Sequence, residues 1–600
     1  MDKELQKNLE EVLAQVRNWS MEDVEAAALD PLAKMMLVAL LYETQKIKDS
    51  VDMLGSRIAD HFCEDFIPRR FLSAIPAVTV LEPVFLAEKM TEGAVIDGNA
   101  RFSYLPSPTA KPITYVPVFQ NNALPFKEVY WLTSGRFHSP GMSRPVSMTK
   151  ESPNVLWLGL NGCAEIECLK GLSLLFKGVH GLVPKRISVG DTGQEISFAT
   201  MDRMEDIEMV EPFDAQQASG CSFAFLQVWK ESFLDMKDLC LVYLTDPLQD
   251  RDLFKPKHFP SVFQFCLMSE EMDAIKDGTL WLKVEFPAGS RVPDDCSVVV
   301  NAFPVANVDV ASVVLTASNP IAKLQCQDQE DAFFLEVLKP SNRSRRDGFD
   351  IEEDEYLVRD FDAECYHDGD LYRDVRYLYH HFVEDYHAFL EYNGIRDGEL
   401  IRQLRENFNR IGKSVGSRND SFRFNSGTYV MRNINHYPQP TSTKVSFLTT
   451  HGKVGNRPQA GDTMENLSHP AFDAKARVVI AAACGRDKAS ADERYELLRY
   501  YTLTQDRLYT KMDIEAFLRK EIMSEFGKTE FPRILIRIFV GGMEGPASLR
   551  RGLYIDIEFK DKKNYDKAVM DSFAPRMQQA VEDRSCLSMP VIVGLVNLEE

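Results

Sequence analysis

The chain opens on a helical rhythm and then abandons it. Leu5, Leu9, Val12, Val16 and Trp19 recur at spacings of four and three, which places them on one stripe of an amphipathic helix. A longer helix is predicted over residues 30 to 62. Asp30 caps it, Pro31 suits its first turn, and Leu32, Met36, Leu40, Ile47, Val51, Leu54, Ile58 and Phe62 hold one face until Pro68. About thirty residues at 1.5 Å each make a rod of ~45 Å, longer than a small domain is wide. Two readings stand side by side at this point: a bundle shared with another chain, or a long core helix of one large domain. A break near Gly55 is the third.

From residue 77 to about 339 the period falls to two. VTVLEPVF, EVYWL, VLWLGL, FAFLQVW, TLWLKVEF, SVVVNAFPV and ASVVLTAS alternate with Pro- and Gly-bearing connections, the pattern of strands and turns. This middle region is expected to be mainly antiparallel β, a sandwich or barrel with insertions. The rhythm then breaks at DGFDIEEDEYLVRDFDAECYHDGD, with eleven acids in twenty-four residues; such a run repels itself and is expected as a solvated loop or linker. A helical patch over 377 to 392 and a polar stretch over 419 to 469 follow. The last part is the most legible: ARVVIAAACG, two helical segments, RILIRIFV, GLYIDIEF, a helix and PVIVGLVN. That order, βαββαβ, fits a ferredoxin-like arrangement.

The expected fold class is therefore α+β and multidomain, with long N-terminal helices for a bundle, β-rich middle domains and a ferredoxin-like C-terminal domain. The expected boundaries are 1–75 for the helical region, 76–340 for the β-rich middle and 341–375 for the acidic linker. A mixed insertion would occupy 376–475, and the last domain 476–600.

Composition narrows what such a chain does. Its 600 residues, 44% hydrophobic and 26% charged, supply a core for each of several domains and exclude disorder over the whole length. A net charge of −21 repels phosphate-rich partners, so nucleic acid is not expected. The most apolar run, Met35 to Tyr42, is far below the roughly 18 residues of a membrane span. The acidic start lacks the basic and apolar regions of a secretory signal, and direct membrane insertion is not expected. Eleven scattered cysteines without CxxC indicate neither a disulfide framework nor a zinc knuckle, and reducing cytosol fits them best.

Catalytic signatures are missing: there is no GxxxxGK[ST], no GxGxxG between strand and helix, no GxSxG and no HExxH. Glu384 and His387 have the E-x-x-H spacing of carboxylate-bridged metal sites, with His380 a turn earlier. No second such motif accompanies them, and ordinary histidines on a half-exposed helix are the expectation. Cys163 and Cys168 read as buried thiols, and KPSNRSRR reads as a basic run paired locally with the acidic segment. No cofactor, metal or catalytic residue is expected. A cytosolic hydrolase using paired carboxylates in a β-domain cleft, and an unrelated binding module, stay open as alternatives.

Three segments resemble a known family, the TssF subunits of the type VI secretion baseplate wedge. DPLAKMMLVALLYETQKIKDSVDMLGSRIADHFCEDFIPRRFLSAIPAVTVLEPVF is similar to that family's early region, an Asp-Pro start and a long helix leading through prolines into a strand. FPSVFQFCLMSEEM, TLWLKVEF and CSVVVNAFPVANV resemble its middle, where a strand carries a Pro and an Asn, here Pro304 and Asn307. GRDKASADERYELLRYYTLTQDRLYTKMDIEAFLRKEI resembles the pattern of contractile-phage baseplate wedge proteins and is the most specific match. The resemblance implies a non-enzymatic cytoplasmic wedge subunit, two copies joining one TssG-like chain, bound to TssK-like and TssE-like subunits about a central spike. The baseplate would anchor and initiate the contractile sheath, docked at the inner membrane. On this reading Leu32, Met36, Leu40, Ile47, Val51, Leu54 and Ile58 bind partners in a bundle.

Overall fold

A computed structural model describes most of residues 72–200, 239–245, 259–338, 356–361, 427–432, 443–467 and 475–597, with short interruptions, together with 62–63, 67, 377–381, 392, 402–403 and 405–411. The chain divides into two compact units, one of Met1–Leu72, Asp360–Gly427 and Ala489–Glu600, the other of Ser73–Arg359 and Thr428–Lys488.

The second unit is built on a closed barrel whose strands come from distant parts of the chain. Its order is Val78–Pro83, Phe303–Ala306, Ile113–Pro117, Phe102–Tyr104, Thr463–Asn466 and Lys475–Ala483, which returns to pair with Val78–Pro83. Leu81, Phe102, Tyr115, Phe303, Met464 and Val478 fill the interior. Closure leaves the barrel without the unpaired backbone edges of an open sheet.

A sandwich adjoins the barrel within the same unit. One layer is a seven-stranded sheet around Val155–Asn161 and Thr279–Glu285; the other is a four-stranded sheet around Ser173–Lys177 and Leu239–Leu244. Leu156, Leu158 and Leu160 alternate toward the four-stranded sheet with Leu280, Leu282 and Val284, meeting Leu174, Phe176, Val242 and Leu244. The intervening Trp157 and Trp281 face the other way, under the helix Ser269–Lys276 and the 3-10 turn Ser261–Phe265. A strand covered on both faces must be apolar at nearly every position, which accounts for the unbroken VLWLGL. A smaller pair of three-stranded sheets, around Thr443–Thr450 and Gly427–Arg432, encloses Leu315, Leu324, Val337, Val430, Val445 and Phe447.

In the first unit, the sheet order is Arg533–Val540, Arg551–Phe559, Val591–Asn597, the first pair antiparallel and the second parallel. Leu553, Ile555, Ile557, Phe559, Val591 and Val593 pack against Tyr500, Phe517, Leu518, Phe573 and Val581 of the helices Ala491–Thr504, Lys511–Phe526 and Lys567–Arg584.

The expected fold class is corrected on two points. The described residues are β-rich, 24% helical, and are organised by a six-stranded barrel rather than by a helical bundle followed by mixed domains. The ferredoxin-like domain is not formed either. Its expected first strand, Lys475–Ala483, pairs with Val78–Pro83 and Thr463–Asn466 to close the barrel, leaving a three-stranded sheet behind. Local order misleads because a nine-residue strand, paired with the distant Val78–Pro83 and in a hairpin with the preceding Thr463–Asn466, is held in the barrel despite its nearness in sequence to the helix that follows. Residues 1–61, with the stripe Leu32, Met36, Leu40, Ile47, Val51, Leu54 and Ile58, lie outside the described residues.

Candidate functional site

The segment that most resembles wedge proteins folds as a pair of helices, each begun by a reciprocal cap. Ser490 Oγ accepts from the N–H of Glu493 at 3.3 Å, and the Glu493 carboxylate accepts from the Ser490 N–H at 2.6 Å. At the second helix Thr510 Oγ1 accepts from the Asp513 N–H at 3.2 Å, while Asp513 Oδ2 accepts from the N–H groups of Thr510 and Tyr509 at 2.8 and 3.0 Å. A helix N-terminus leaves backbone donors without intrahelical partners, and the T-x-x-D spacing fills them from both sides. Burial pushes the Asp513 carboxyl up, but these donors outweigh it and hold the group below the usual carboxylate range.

The turn between the helices is fixed by charge as well as by backbone. Gln505 and Asp506 take left-handed conformations. Asp506 accepts from the Tyr500 hydroxyl at 2.7 Å and lies 3.6 Å from the Arg584 guanidinium. Burial, then the Asp506 carboxylate, pushes the Tyr500 hydroxyl well above its ordinary value. The buried Lys520 ammonium stands 4.8 Å from the centres of both the Tyr500 and Phe517 rings, a cation–π arrangement, and pairs with Glu521 at 2.5 Å.

Outside this packing the pair exposes large apolar side chains among polar and charged ones, Arg499, Arg507 and Lys511 included. Tyr495 is 59% exposed, Leu503 51%, Tyr509 62% and Met512 66%. Tyr495, Arg499 and Leu503 recur every fourth residue along one stripe, so two sides of the helix Ala491–Thr504 carry apolar groups. With Phe62, the last member of the sequence-predicted stripe, Tyr495, Leu498, Arg499 and Thr502 line a cavity of about 460 Å³. Sequence reasoning assigned these side chains only to a helical pattern; the second stripe at i, i+4 and i+8 was the signal for an outward face.

Other expected positions are placed as follows. His380 and His381 lie on a described helical turn, with the Tyr377 ring stacked on His381 at 6.1 Å; Glu384 and His387 lie outside the described residues. No group of three or more His, Cys, Asp or Glu able to hold a metal ion occurs among the described residues. Cys168 is half-buried, and Cys163 lies outside the described residues. No helix among the described residues is long and apolar enough to cross a membrane.

Pro304 and Asn307, singled out by resemblance, stand in and just after a barrel strand. The Pro304 carbonyl accepts from the Val118 N–H at 3.0 Å, and the wholly buried Asn307 ties the strand end to the 3-10 turn Gly452–Asn456. Glycine is required in this region: a Cβ on Gly485 would stand 2.4 Å from the Gly452 carbonyl oxygen, and one on Gly455 would stand 2.8 Å from Ala77 Cβ. The cluster is a structural knot rather than an open site.

No protein-family model matches the chain, and no curated protein matches it. Among solved structures the chain is similar to a chain of the TssK-TssF-TssG baseplate subcomplex of the type VI secretion system, solved by cryo-electron microscopy. The TM-score is 0.37 and the identity 10%, over 94% of this chain and 96% of that one. It is also similar to a chain of the baseplate complex from the type VI secretion system, with a TM-score of 0.31 and 12% identity over 98% of this chain and 93% of that one. Both structures are of type VI secretion baseplate assemblies.

Proposed function

We propose that this chain is a TssF-like structural subunit of a type VI secretion baseplate wedge. The observation that carries the reading is the segment over residues 485 to 522. Its wedge-like T-x-x-D element, Thr510 and Asp513, begins a helix in a pair whose outward side chains Tyr495, Leu503, Tyr509 and Met512 are apolar. Large apolar side chains held at the surface of a packed helix pair support a role in assembly. On this reading the partners are a TssG-like chain, a second copy, TssK-like and TssE-like subunits and the central spike. The place is the cytoplasmic side of the inner membrane, and the role is to anchor and initiate the contractile sheath without catalysis.

The bundle residues belong to the same proposal: Leu32, Met36, Leu40, Ile47, Val51, Leu54 and Ile58 would meet the TssG-like chain and the second copy. The test is co-purification of the tagged full chain with the products of its neighbouring genes. A stoichiometric complex is expected, and it should be lost in the double variant Ile47→Asp, Leu54→Asp while the isolated chain keeps its thermal unfolding. Recovery of the chain free of any baseplate subunit would overturn the reading; assembly retained by the double variant would remove the shared bundle from it.

A further inference from the structure

The helix Ala491–Thr504 is covered on two sides. Tyr500 packs into the core of the first unit with Phe517 and Ile555, while Leu497, Leu498 and Tyr501 pack with Cys63, Ile67 and Leu72. The Cys63 thiol donates to the Arg494 carbonyl at 3.3 Å, and the Ile67 N–H donates to the Cys63 carbonyl at 3.0 Å, which holds Cys63 against the helix. Phe62 thereby becomes one wall of the cavity whose other wall is Tyr495, Leu498, Arg499 and Thr502. Positions i, i+3, i+4 and i+7 follow one side of a helix for two turns, so the cavity is a groove about 10 Å long at 1.5 Å per residue.

The groove is apolar with one charge in its wall. Phe62, Tyr495 and Leu498 supply the apolar lining, and the Thr502 hydroxyl donates to the Leu498 carbonyl at 2.7 Å. Arg499 is exposed, and its guanidinium makes no ion pair or hydrogen bond among the described residues. Neighbouring carboxylates are engaged elsewhere. Glu493 accepts from the Ser490 N–H, Asp506 accepts from the Tyr500 hydroxyl, and Glu496 is buried at 6% exposure. Among the described side chains of the groove the charge is therefore a single cation beside apolar surface.

We propose that this groove docks an acidic amphipathic segment of a partner protein, one that carries a large apolar side chain within a helical turn of an Asp or Glu. The apolar side chain fills the space between Phe62 and Leu498. The carboxylate meets Arg499, whose planar guanidinium matches two oxygens at once. Tyrosine and arginine are the usual anchors of protein interfaces, and Tyr495 and Arg499 stand one turn apart here. Nucleic acid does not fit, because one cation in an apolar wall offers no track for a phosphate backbone. The inference rests on the wedge reading for which assembly supplies the partner, and deepens it by naming what in that partner is recognised.

Photocrosslinking tests it, with the tagged full chain expressed beside its neighbouring genes and carrying Tyr495→p-benzoylphenylalanine, one aromatic group for another at a 59% exposed site. Mass spectrometry is expected to place the crosslink in another polypeptide, on an acidic peptide that also bears a large apolar side chain. Adding Arg499→Glu should lower its yield about tenfold, and Arg499→Lys should keep most of it, with thermal unfolding unchanged in both. Replacing the crosslinked peptide's carboxylate by Lys should also lose the product, and joining that change to Arg499→Glu should restore it. No crosslink, a crosslink confined to the chain itself, a peptide without a carboxylate, or a yield indifferent to Arg499→Glu would each overturn the proposal. Baseplate subunits recovered without the crosslink would remove the groove and leave the wedge reading; a charge-swapped partner that is no baseplate subunit would uphold the groove and remove the wedge reading.

Discussion

Asn307 holds His451 by its backbone and its ring at once. Its Oδ1 accepts from the His451 N–H at 2.8 Å and from the Thr450 hydroxyl at 3.0 Å, while its Nδ2 donates to the Thr114 carbonyl at 2.9 Å and lies 3.3 Å from His451 Nδ1. A backbone N–H can only donate and a carbonyl can only accept, so these two partners fix which way the amide points. It follows that Nδ1 accepts and the imidazole proton sits on Nε2. One side chain thereby joins the end of a barrel strand to the turn that crosses it.

Asn307→Ala is expected to leave the buried His451 N–H and the Thr450 hydroxyl without this acceptor. Unsatisfied buried groups cost about 1–3 kcal/mol each, so a loss of about 3 kcal/mol in urea unfolding is expected. Asn307→Asp keeps the acceptor but sets a carboxylate oxygen against the Thr114 carbonyl, and should be at least as damaging. A change within ~0.5 kcal/mol for the alanine variant, the range of ordinary surface substitutions, would show that water replaces the amide.

Gly159 lies beneath the Trp281 ring, where a Cβ would come within 2.6 Å of it. Trp281 is also packed 4.5 Å from the Phe263 ring centre, with little room to yield. Gly159→Ala should therefore destabilise by about 1–3 kcal/mol, typical of overpacking, and should alter the near-ultraviolet circular dichroism of the tryptophans. An unchanged spectrum with unchanged stability would mean that the indole moves aside freely.

What the sequence made legible was local. The short apolar runs VLWLGL and TLWLKVEF, bounded by turn residues, marked strands that the structure pairs directly, Val155 with Glu285 through to Asn161 with Thr279. The Ser490 and Thr510 caps were written in S-x-x-E and T-x-x-D. Partners far along the chain were not legible. Nothing within ARVVIAAACG tells whether it joins its neighbours, as expected, or Val78–Pro83 nearly four hundred residues earlier, as it does. Periodicity also reports that a residue is apolar and not what covers it. Leu497 and Leu503 share one helix; the first is buried at 5% exposure and the second is 51% exposed.

Thr510→Ala removes the acceptor for the Asp513 N–H at the start of Lys511–Phe526. Loss of an N-cap costs about 1 kcal/mol, and that is the expected drop in unfolding free energy. Thr510→Ser keeps the oxygen and should restore most of it. Equal losses for the two variants would place the effect in the threonine methyl group instead of the cap.

Acid should undo the other half of the same cap. Asp513 is buried, which alone would raise its pKa, but the N–H groups of Thr510 and Tyr509 and the Thr510 hydroxyl favour the ionised form and depress it below the ordinary carboxylate value. A group depressed in the folded state stabilises when ionised. Its contribution is therefore fully present above the unfolded value of about 3.9 and is lost as pH falls through the lower folded value. Asp513→Asn removes this linkage while keeping one acceptor oxygen. The difference in unfolding free energy between parent and Asp513→Asn should be constant near neutral pH and should shrink below about pH 4. A difference that stays level or widens in acid would show that the carboxylate charge contributes nothing to the cap.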